Sequence, residues 1–122
     1  MIRLLVVENQ AIVSKGMLMR LGAEPDFFVV GGTASSEEAL ELAKSLQPDV
    51  VLVDIDLPQM DEVELANQLR TFCPNSPIIF LSMQDDLITC ERTARAGAAA
   101  LVGKFLPADV LVTQIRHSCR II

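Results

Sequence analysis

The sequence lacks the long apolar run that a membrane-spanning helix needs. No stretch of the chain approaches the ~20 consecutive apolar residues required to cross a bilayer. The N-terminal run MIRLLVVEN reaches an acid too early for a signal peptide. Apolar residues nevertheless make up 51% of the 122 residues, which is ample for a buried core. We therefore expect a cytoplasmic protein that forms one domain, residues 1–122, with no membrane contact.

Cysteine patterns for disulfides or structural metals are also missing. Cys73, Cys90 and Cys119 are odd in number and widely spaced, without a CxxC or CxxH motif. A disulfide framework or a zinc site is therefore not expected, and the three residues are interpreted as reduced packing residues. His117, the single histidine, falls late in the last predicted helix, where we expect it to be solvated.

Positive charge is scarce. Ten Lys and Arg residues oppose sixteen Asp and Glu residues, which gives a net charge of −6. Because binding to a nucleic-acid backbone needs clustered Lys and Arg, we expect no direct nucleic-acid contact by this chain. Any action on DNA would require another segment or a partner.

Short β-branched runs alternate five times with stretches of helical apolar spacing. Strands are predicted at 2–7, 27–33, 50–53, 78–81 and 99–103. The intervening helices are predicted over 12–21, after the caps Ser35 and Asp61, near 86–96 before Gly97, and from Pro107 onward. Strands this apolar are covered on both faces, and their alternation with helices implies right-handed crossovers. The prediction is a doubly wound α/β domain with a parallel sheet.

Polar residues follow four of the predicted strands. They are Glu8 and Asn9 after the first strand, Asp54 after the third, Ser82 after the fourth and Lys104 after the fifth. Functional groups of open parallel sheets gather beyond the carboxyl ends of the strands. Two carboxylates ~4 Å apart repel by about 4 kcal/mol at an effective dielectric near 20. We therefore expect Lys104 and a divalent cation, with Mg²⁺ the best match for oxygen ligands, to offset Glu8 and Asp54.

Further acids stand in the adjoining loops. Asp56, Asp61 and Glu62 are interpreted as solvated loop acids or helix caps. Asp85 and Asp86 are expected to begin the fourth helix, where acids favour the positive end of the helix dipole.

Four motifs, in their order and spacing, resemble the receiver family of two-component response regulators over essentially the whole chain. They are LLVVEN, DVVLVDIDLPQM, IIFLS and RAGAAALVGK. The stretch AEPDFFVVGGTASSEEALELA looks most like the subfamily that carries a C-terminal helix-turn-helix DNA-binding domain. The resemblance implies a flavodoxin-like (βα)5 domain with strand order 2-1-3-4-5, an order taken from the family and not from the sequence.

The resemblance also implies a chemical role for each strand-end residue. Asp54 would accept a phosphoryl group from a sensor histidine kinase, while Ser82 and Lys104 would contact the phosphoryl oxygens. Asp54 would also bind Mg²⁺, together with ligands implied at Glu8, Asn9 and the backbone carbonyl of Asp56. The fourth helix, fifth strand and fifth helix would then form a face for a homodimer or an output domain.

The chain departs from the family pattern at several positions near the implied site. Asn9 replaces an aspartate, Glu62 stands where glycine is usual, and Met83 replaces a small residue. Leu101 stands where an aromatic residue often switches between rotamers. These departures leave open an atypical receiver that acts as a phosphorylation-independent interaction module. A flavodoxin-like flavin or nucleotide enzyme has no support, because no GxGxxG or Walker pattern follows the first strand.

Overall fold

The computed structural model describes residues 1–83 and 87–119. Strands and helices alternate throughout these ranges. The strands are β1 (Ile2–Val7), β2 (Phe27–Thr33), β3 (Val50–Asp54), β4 (Ile78–Ser82) and β5 (Ala100–Gly103). The helices are α1 (Ala11–Gly22), α2 (Ser36–Leu46), α3 (Glu62–Phe72), α4 (Leu87–Arg95) and α5 (Ala108–Ser118).

All strand pairings are parallel, and the sheet has the order β2-β1-β3-β4-β5. Successive side chains of a strand point to opposite faces of the sheet. Leu5 and Val7 of β1 accordingly pack with α2 and α3, whereas Leu4 and Val6 pack with α1 and α5. The helices on both faces confirm the predicted doubly wound α/β fold, and the strand pairings confirm the order 2-1-3-4-5.

Two predicted caps begin helices as expected. The side chain of Ser35 accepts a hydrogen bond from the Glu38 N–H, and that of Asp61 accepts from the N–H groups of Val63 and Glu64. Both carboxylate and hydroxyl oxygens satisfy amide donors that the first helical turn leaves unpaired. Asp85 and Asp86, which were expected to begin the fourth helix, lie outside the described residues.

The ends of β3 and β4 extend one residue beyond the prediction. Asp54 pairs in register with Leu81, and Ser82 pairs with Gly103. The chain turns only after Asp54, because its carboxylate accepts a hydrogen bond from the Asp56 N–H. Both polar residues are therefore held rigidly by the sheet.

The cysteines do not all behave as packing residues. Cys73 is buried as expected, but Cys90 on α4 is exposed and Cys119 is half-buried at the end of α5. Only one face of α4 packs on the domain, and Cys90 lies away from it. No helix in the described part of the chain is both long enough and apolar enough to span a membrane.

Candidate functional site

Three charged side chains from separate strand ends meet at the carboxyl edge of the sheet. The ammonium nitrogen of Lys104 lies 2.9 Å from Oε1 of Glu8 and 2.9 Å from Oδ2 of Asp54. The three side chains are at most 2% exposed. Because β1 neighbours β3, Glu8 and Asp54 begin side by side, and the long lysine side chain reaches them from beyond β5. The structure thus brings together three of the residues selected from the sequence.

Backbone amides complete the environment of Asp54. The Asp56 N–H donates to Oδ1 over 2.9 Å, and the Asn9 N–H donates to Oδ2 over 3.3 Å. Burial alone would raise the pKa of Asp54, but hydrogen bonds with Glu8, the Asp56 N–H and Lys104 hold this pKa below its ordinary value. These contacts therefore favour the ionised form of Asp54.

Glu8 shows the opposite behaviour. Burial and a hydrogen bond shared with the Asp54 carboxyl group raise the pKa of Glu8, despite opposing contacts from Lys104 and the Gln10 N–H. Burial would lower the pKa of Lys104, but its contacts with Glu8 and Asp54 raise this pKa instead. The lysine therefore stays protonated beside two carboxyl groups of unequal acidity.

The residues predicted to bind Mg²⁺ enter this site in different ways. Glu8 and Asp54 contribute carboxylate oxygens, whereas Asn9 and Asp56 have exposed side chains and reach Asp54 through their backbone N–H groups. No group of three or more His, Cys, Asp and Glu side chains within residues 1–83 and 87–119 is arranged to hold a metal ion. The carboxyl groups of Glu8 and Asp54 still fit Mg²⁺ by chemistry, since this ion accepts one or two protein carboxylates and retains waters.

Ser82, the last residue of β4, is 2% exposed. Its position between the strands of Asp54 and Lys104 agrees with the one selected from the sequence, and the Ser82 carbonyl accepts a hydrogen bond from the Lys104 N–H over 2.8 Å. Ser82 also lines a cavity of about 230 Å³, together with Ile55, Asp56, Glu62, Met83, Thr89 and Arg92. Ile55 and Asp56 follow Asp54 directly in the chain, so this cavity adjoins the end of β3.

The interpretation of Glu62 as a solvated loop acid or helix cap is wrong, since Asp61 caps α3. Glu62 begins α3 and is only 7% exposed. Its carboxylate forms an ion pair with the guanidinium group of Arg92 on α4, which also lies 3.6 Å from Oδ1 of Asp61. No motif in the sequence singles out Arg92, because its pairing with Glu62 depends on how α3 and α4 pack.

Comparison with known protein families gives a match over nearly the whole chain. Residues 4–116 match the family model described as the response regulator receiver domain.

Curated relatives are longer than this chain and match it over part of their length. The chain is 29% identical to the transcriptional regulatory protein DegU of Brevibacillus brevis, over 94% of this chain and 49% of DegU. It is 36% identical to a protein-glutamate methylesterase/protein-glutamine glutaminase of Caulobacter vibrioides, over 93% of this chain and 33% of the relative. The chain therefore spans half or less of the length of these relatives.

Solved structures share the fold. The signal receiver domain of a modulated diguanylate cyclase from Desulfovibrio desulfuricans is 32% identical, with a TM-score of 0.85 and coverage of 98% of this chain and 94% of that one. The signal receiver domain of the response regulator NarL from Mycobacterium tuberculosis has a TM-score of 0.90 at 24% identity, over 97% and 95% of the two chains. At that lower identity the likeness extends to the fold alone.

Proposed function

Since the chain belongs to the response-regulator receiver family of two-component systems, we propose that residues 1–122 form a phosphorylation-controlled signalling domain. Asp54 accepts a phosphoryl group from a sensor histidine kinase. The observation that carries the proposal is the contact of Lys104 with both Asp54 and Glu8 at the buried strand ends. A nucleophilic carboxylate beside a fixed cation is the equipment that phosphoryl transfer requires.

Asp54 acts as the nucleophile. Its lowered pKa keeps the carboxylate ionised at neutral pH. A carboxylate oxygen forms a bond to phosphorus while the phosphorus–nitrogen bond of the donor phosphohistidine breaks. The leaving imidazole keeps the electron pair of that bond and takes up a proton from solvent. Lys104 and the hydroxyl group of Ser82 then contact the oxygens of the transferred group.

Glu8, Asn9, Asp54 and the backbone carbonyl of Asp56 would hold Mg²⁺ in this reaction. When bound, the ion supplies positive charge that offsets the phosphoryl oxygens. The chain's own contribution is to present these oxygens at the fixed ends of β1 and β3, with Lys104 as a second source of positive charge.

Access to Asp54 requires a local movement. Its side chain is 1% exposed, and Lys104 and the Asn9 N–H both contact Oδ2. A donor therefore reaches the carboxylate only when the lysine or the loop after β1 shifts. Met83, which is 41% exposed, lines the adjoining cavity next to the end of β4.

Phosphorylation adds a charge of about −1.5 to −2 at neutral pH. We propose that this charge biases the face formed by α4, β5 and α5 toward homodimerisation or toward contact with an output domain. The helices of that face carry exposed apolar side chains, namely Leu87 and Ile88 on α4 and Val110 on α5. The output is proposed to be transcription regulation through a DNA-binding domain outside this chain, in a cytoplasmic protein that itself makes no contact with DNA or membrane.

A second candidate is a phosphorylation-independent interaction module. The observation that favours it is the closure of the site, in which Lys104 already contacts both buried carboxyl groups. The replacement of an acidic metal ligand by Asn9 favours it as well.

A titration with beryllofluoride, a phosphoryl mimic, separates the two candidates. With Mg²⁺ present, the first predicts shifted amide resonances around Asp54 and along α4 in NMR spectra. The second predicts unchanged spectra at millimolar concentrations of metal and mimic. Asp54→Asn is the control, because it removes the charged acceptor oxygen at nearly constant side-chain size.

A further inference from the structure

The ion pair between Glu62 and Arg92 joins the start of α3 to α4. Glu62 is nearly buried, whereas the side chain of Arg92 is 51% exposed. A buried carboxylate without a cation is strongly unfavourable, so Arg92 is the group that makes the buried position of Glu62 tolerable. The pair is therefore a specific contact between two helices rather than a solvated surface pair.

Arg92 also faces the space next to the acceptor site. Arg92, Glu62 and Ser82 all line the same cavity of about 230 Å³. Ser82 is the residue whose hydroxyl group is proposed to contact the phosphoryl oxygens. Asp56 lines the same cavity, and its N–H donates to Asp54. A phosphoryl group on Asp54 would thus lie beside a cavity that contains both a guanidinium group and its carboxylate partner.

We propose that Arg92 is a second phosphoryl-binding cation, in addition to Lys104, and that Glu62 holds it away from the phosphoryl group until Asp54 is modified. The inference rests on the proposed function of Asp54. It adds a binding residue on α4 and gives Glu62 the role of a competing anion.

The competition follows from the relative charges. A phosphoryl group carries about two negative charges and three acceptor oxygens, whereas the Glu62 carboxylate carries one charge. Guanidinium groups bind phosphate oxygens in bidentate geometry, and the phosphoryl charge would at the same time repel Glu62. Asp61, 53% exposed and 3.6 Å from Arg92, is a weaker competitor because solvent screens it.

Movement of Arg92 would carry the modification signal to α4. In the unmodified domain the ion pair of the Arg92 guanidinium group with Glu62 connects α4 to α3. If the guanidinium group moves to the phosphoryl group, its ion pair with α3 is replaced by a contact at the ends of β3 and β4. The exposed apolar residues Leu87 and Ile88 lie at the start of the same helix, so its displacement would alter the surface offered to a partner.

Beryllofluoride affinity in the presence of Mg²⁺, measured by NMR titration, tests the inference. Loss of one cation contact in Arg92→Gln should weaken binding about fivefold. Glu62→Gln should tighten binding by about twofold or more, because it removes the competing anion. Arg92→Lys keeps the positive charge and should recover part of the affinity. Arg95→Gln, on the next turn of α4 and outside the cavity lining, is the matched control and should change nothing.

The opposite directions of the two substitutions distinguish phosphoryl binding from a purely structural role. If both Glu62→Gln and Arg92→Gln weaken binding, the pair merely supports the fold and the inference is wrong. Equal effects of Arg92→Gln and Arg95→Gln, or no effect of Arg92→Gln, also overturn it. Failure of the unsubstituted protein to bind beryllofluoride is a separate result, which refutes the proposed function and removes the basis of the inference.

Discussion

The ammonium nitrogen of Lys104 lies 2.9 Å from Oδ2 of Asp54, although β4 separates the strands from whose ends the two residues project. The same nitrogen contacts Glu8, so one cation serves two buried carboxyl groups. This contact links the stability of the strand ends to the chemistry proposed for them.

Lys104→Met leaves Glu8 and Asp54 without their cation. We expect a loss of roughly 3 kcal/mol in the free energy of unfolding at pH 7, since one partner of a buried ion pair is removed. The pKa of Asp54 is lowered in the folded protein, so the stabilisation from its charged form is present above its unfolded pKa and is lost as the pH falls through the folded value. The loss in free energy of unfolding caused by Lys104→Met should therefore be smaller in acid than at pH 7.

Urea unfolding at pH 7 and in acid measures this effect. Lys15→Met, at an exposed position of α1, is the control for loss of a positive charge. Equal stability of the two variants at pH 7 would show that the Lys104 contacts contribute nothing.

Arg116→Gln should make the domain less stable at neutral pH but not in strong acid. Arg116 on α5 contacts Glu24 over 2.5 Å and Asp26 over 2.9 Å, and its guanidinium group lies 5.1 Å from the centre of the Phe27 ring. Hydrogen bonds from Arg20 and Arg116 lower the pKa of Glu24, and one from Arg116 lowers that of Asp26.

The direction of the pH effect follows from these shifts. Stability from Glu24 and Asp26 is complete above their ordinary pKa values of 4.5 and 3.8, and it is lost as the pH falls through their lower values in the folded protein. Thermal unfolding of the unsubstituted protein and of Arg116→Gln should be compared from pH 7 to pH 2. The difference in stability between them should disappear as the pH falls through the lowered pKa values of Glu24 and Asp26. High salt should reduce the difference at pH 7, and a difference that is independent of both pH and salt would contradict this assignment.

Gly97→Ala should destabilise the domain by at least about 1 kcal/mol. Gly97 follows α4 with a φ of +80°, and an added Cβ atom would collide with the guanidinium group of Arg70. Gly16→Ala is the matched control, because Gly16 lies within α1 with no atom near the added methyl group. It should stabilise by about 0.5–1 kcal/mol, and urea unfolding of both variants should give effects of opposite sign.

Phe80→Ala should remove about 3–5 kcal/mol of stability, because it creates a cavity in the core. Phe80 lies in β4 and is 0% exposed, whereas Phe28 on the edge strand β2 is 56% exposed. Phe28→Ala is therefore the control, with a much smaller effect expected. The midpoints of unfolding in guanidinium chloride should be measured for Phe80→Ala and Phe28→Ala. Similar losses of stability in the two variants would contradict the assignment of Phe80 to the core.

Local patterns were sufficient to predict most of the fold. The apolar runs identified all five strands to within one residue at each end, and the caps Ser35 and Asp61 marked two helix starts. Such signals are local, because a cap satisfies amides two or three residues away. The strand order, by contrast, came from the family resemblance, since nothing within a strand specifies its neighbour.

The site was predictable to the extent that the sheet determines it. Glu8, Asp54 and Lys104 converge because parallel strands end at the same edge. The Glu62–Arg92 pair was missed, because it depends on the packing of α3 against α4 and on side chains that reach across that contact. The roles assigned to Glu8, Asn9, Asp54, Asp56, Ser82 and Lys104 remain predictions.

Mass spectrometry of the intact protein after incubation with acetyl phosphate and Mg²⁺ tests whether Asp54 accepts a phosphoryl group. We predict a gain of one phosphoryl group in the unsubstituted protein, its localisation to Asp54 after borohydride reduction and proteolysis, and no gain in Asp54→Asn. Phosphoryl incorporation that persists in Asp54→Asn, or its absence from a folded, unsubstituted protein, would contradict the account.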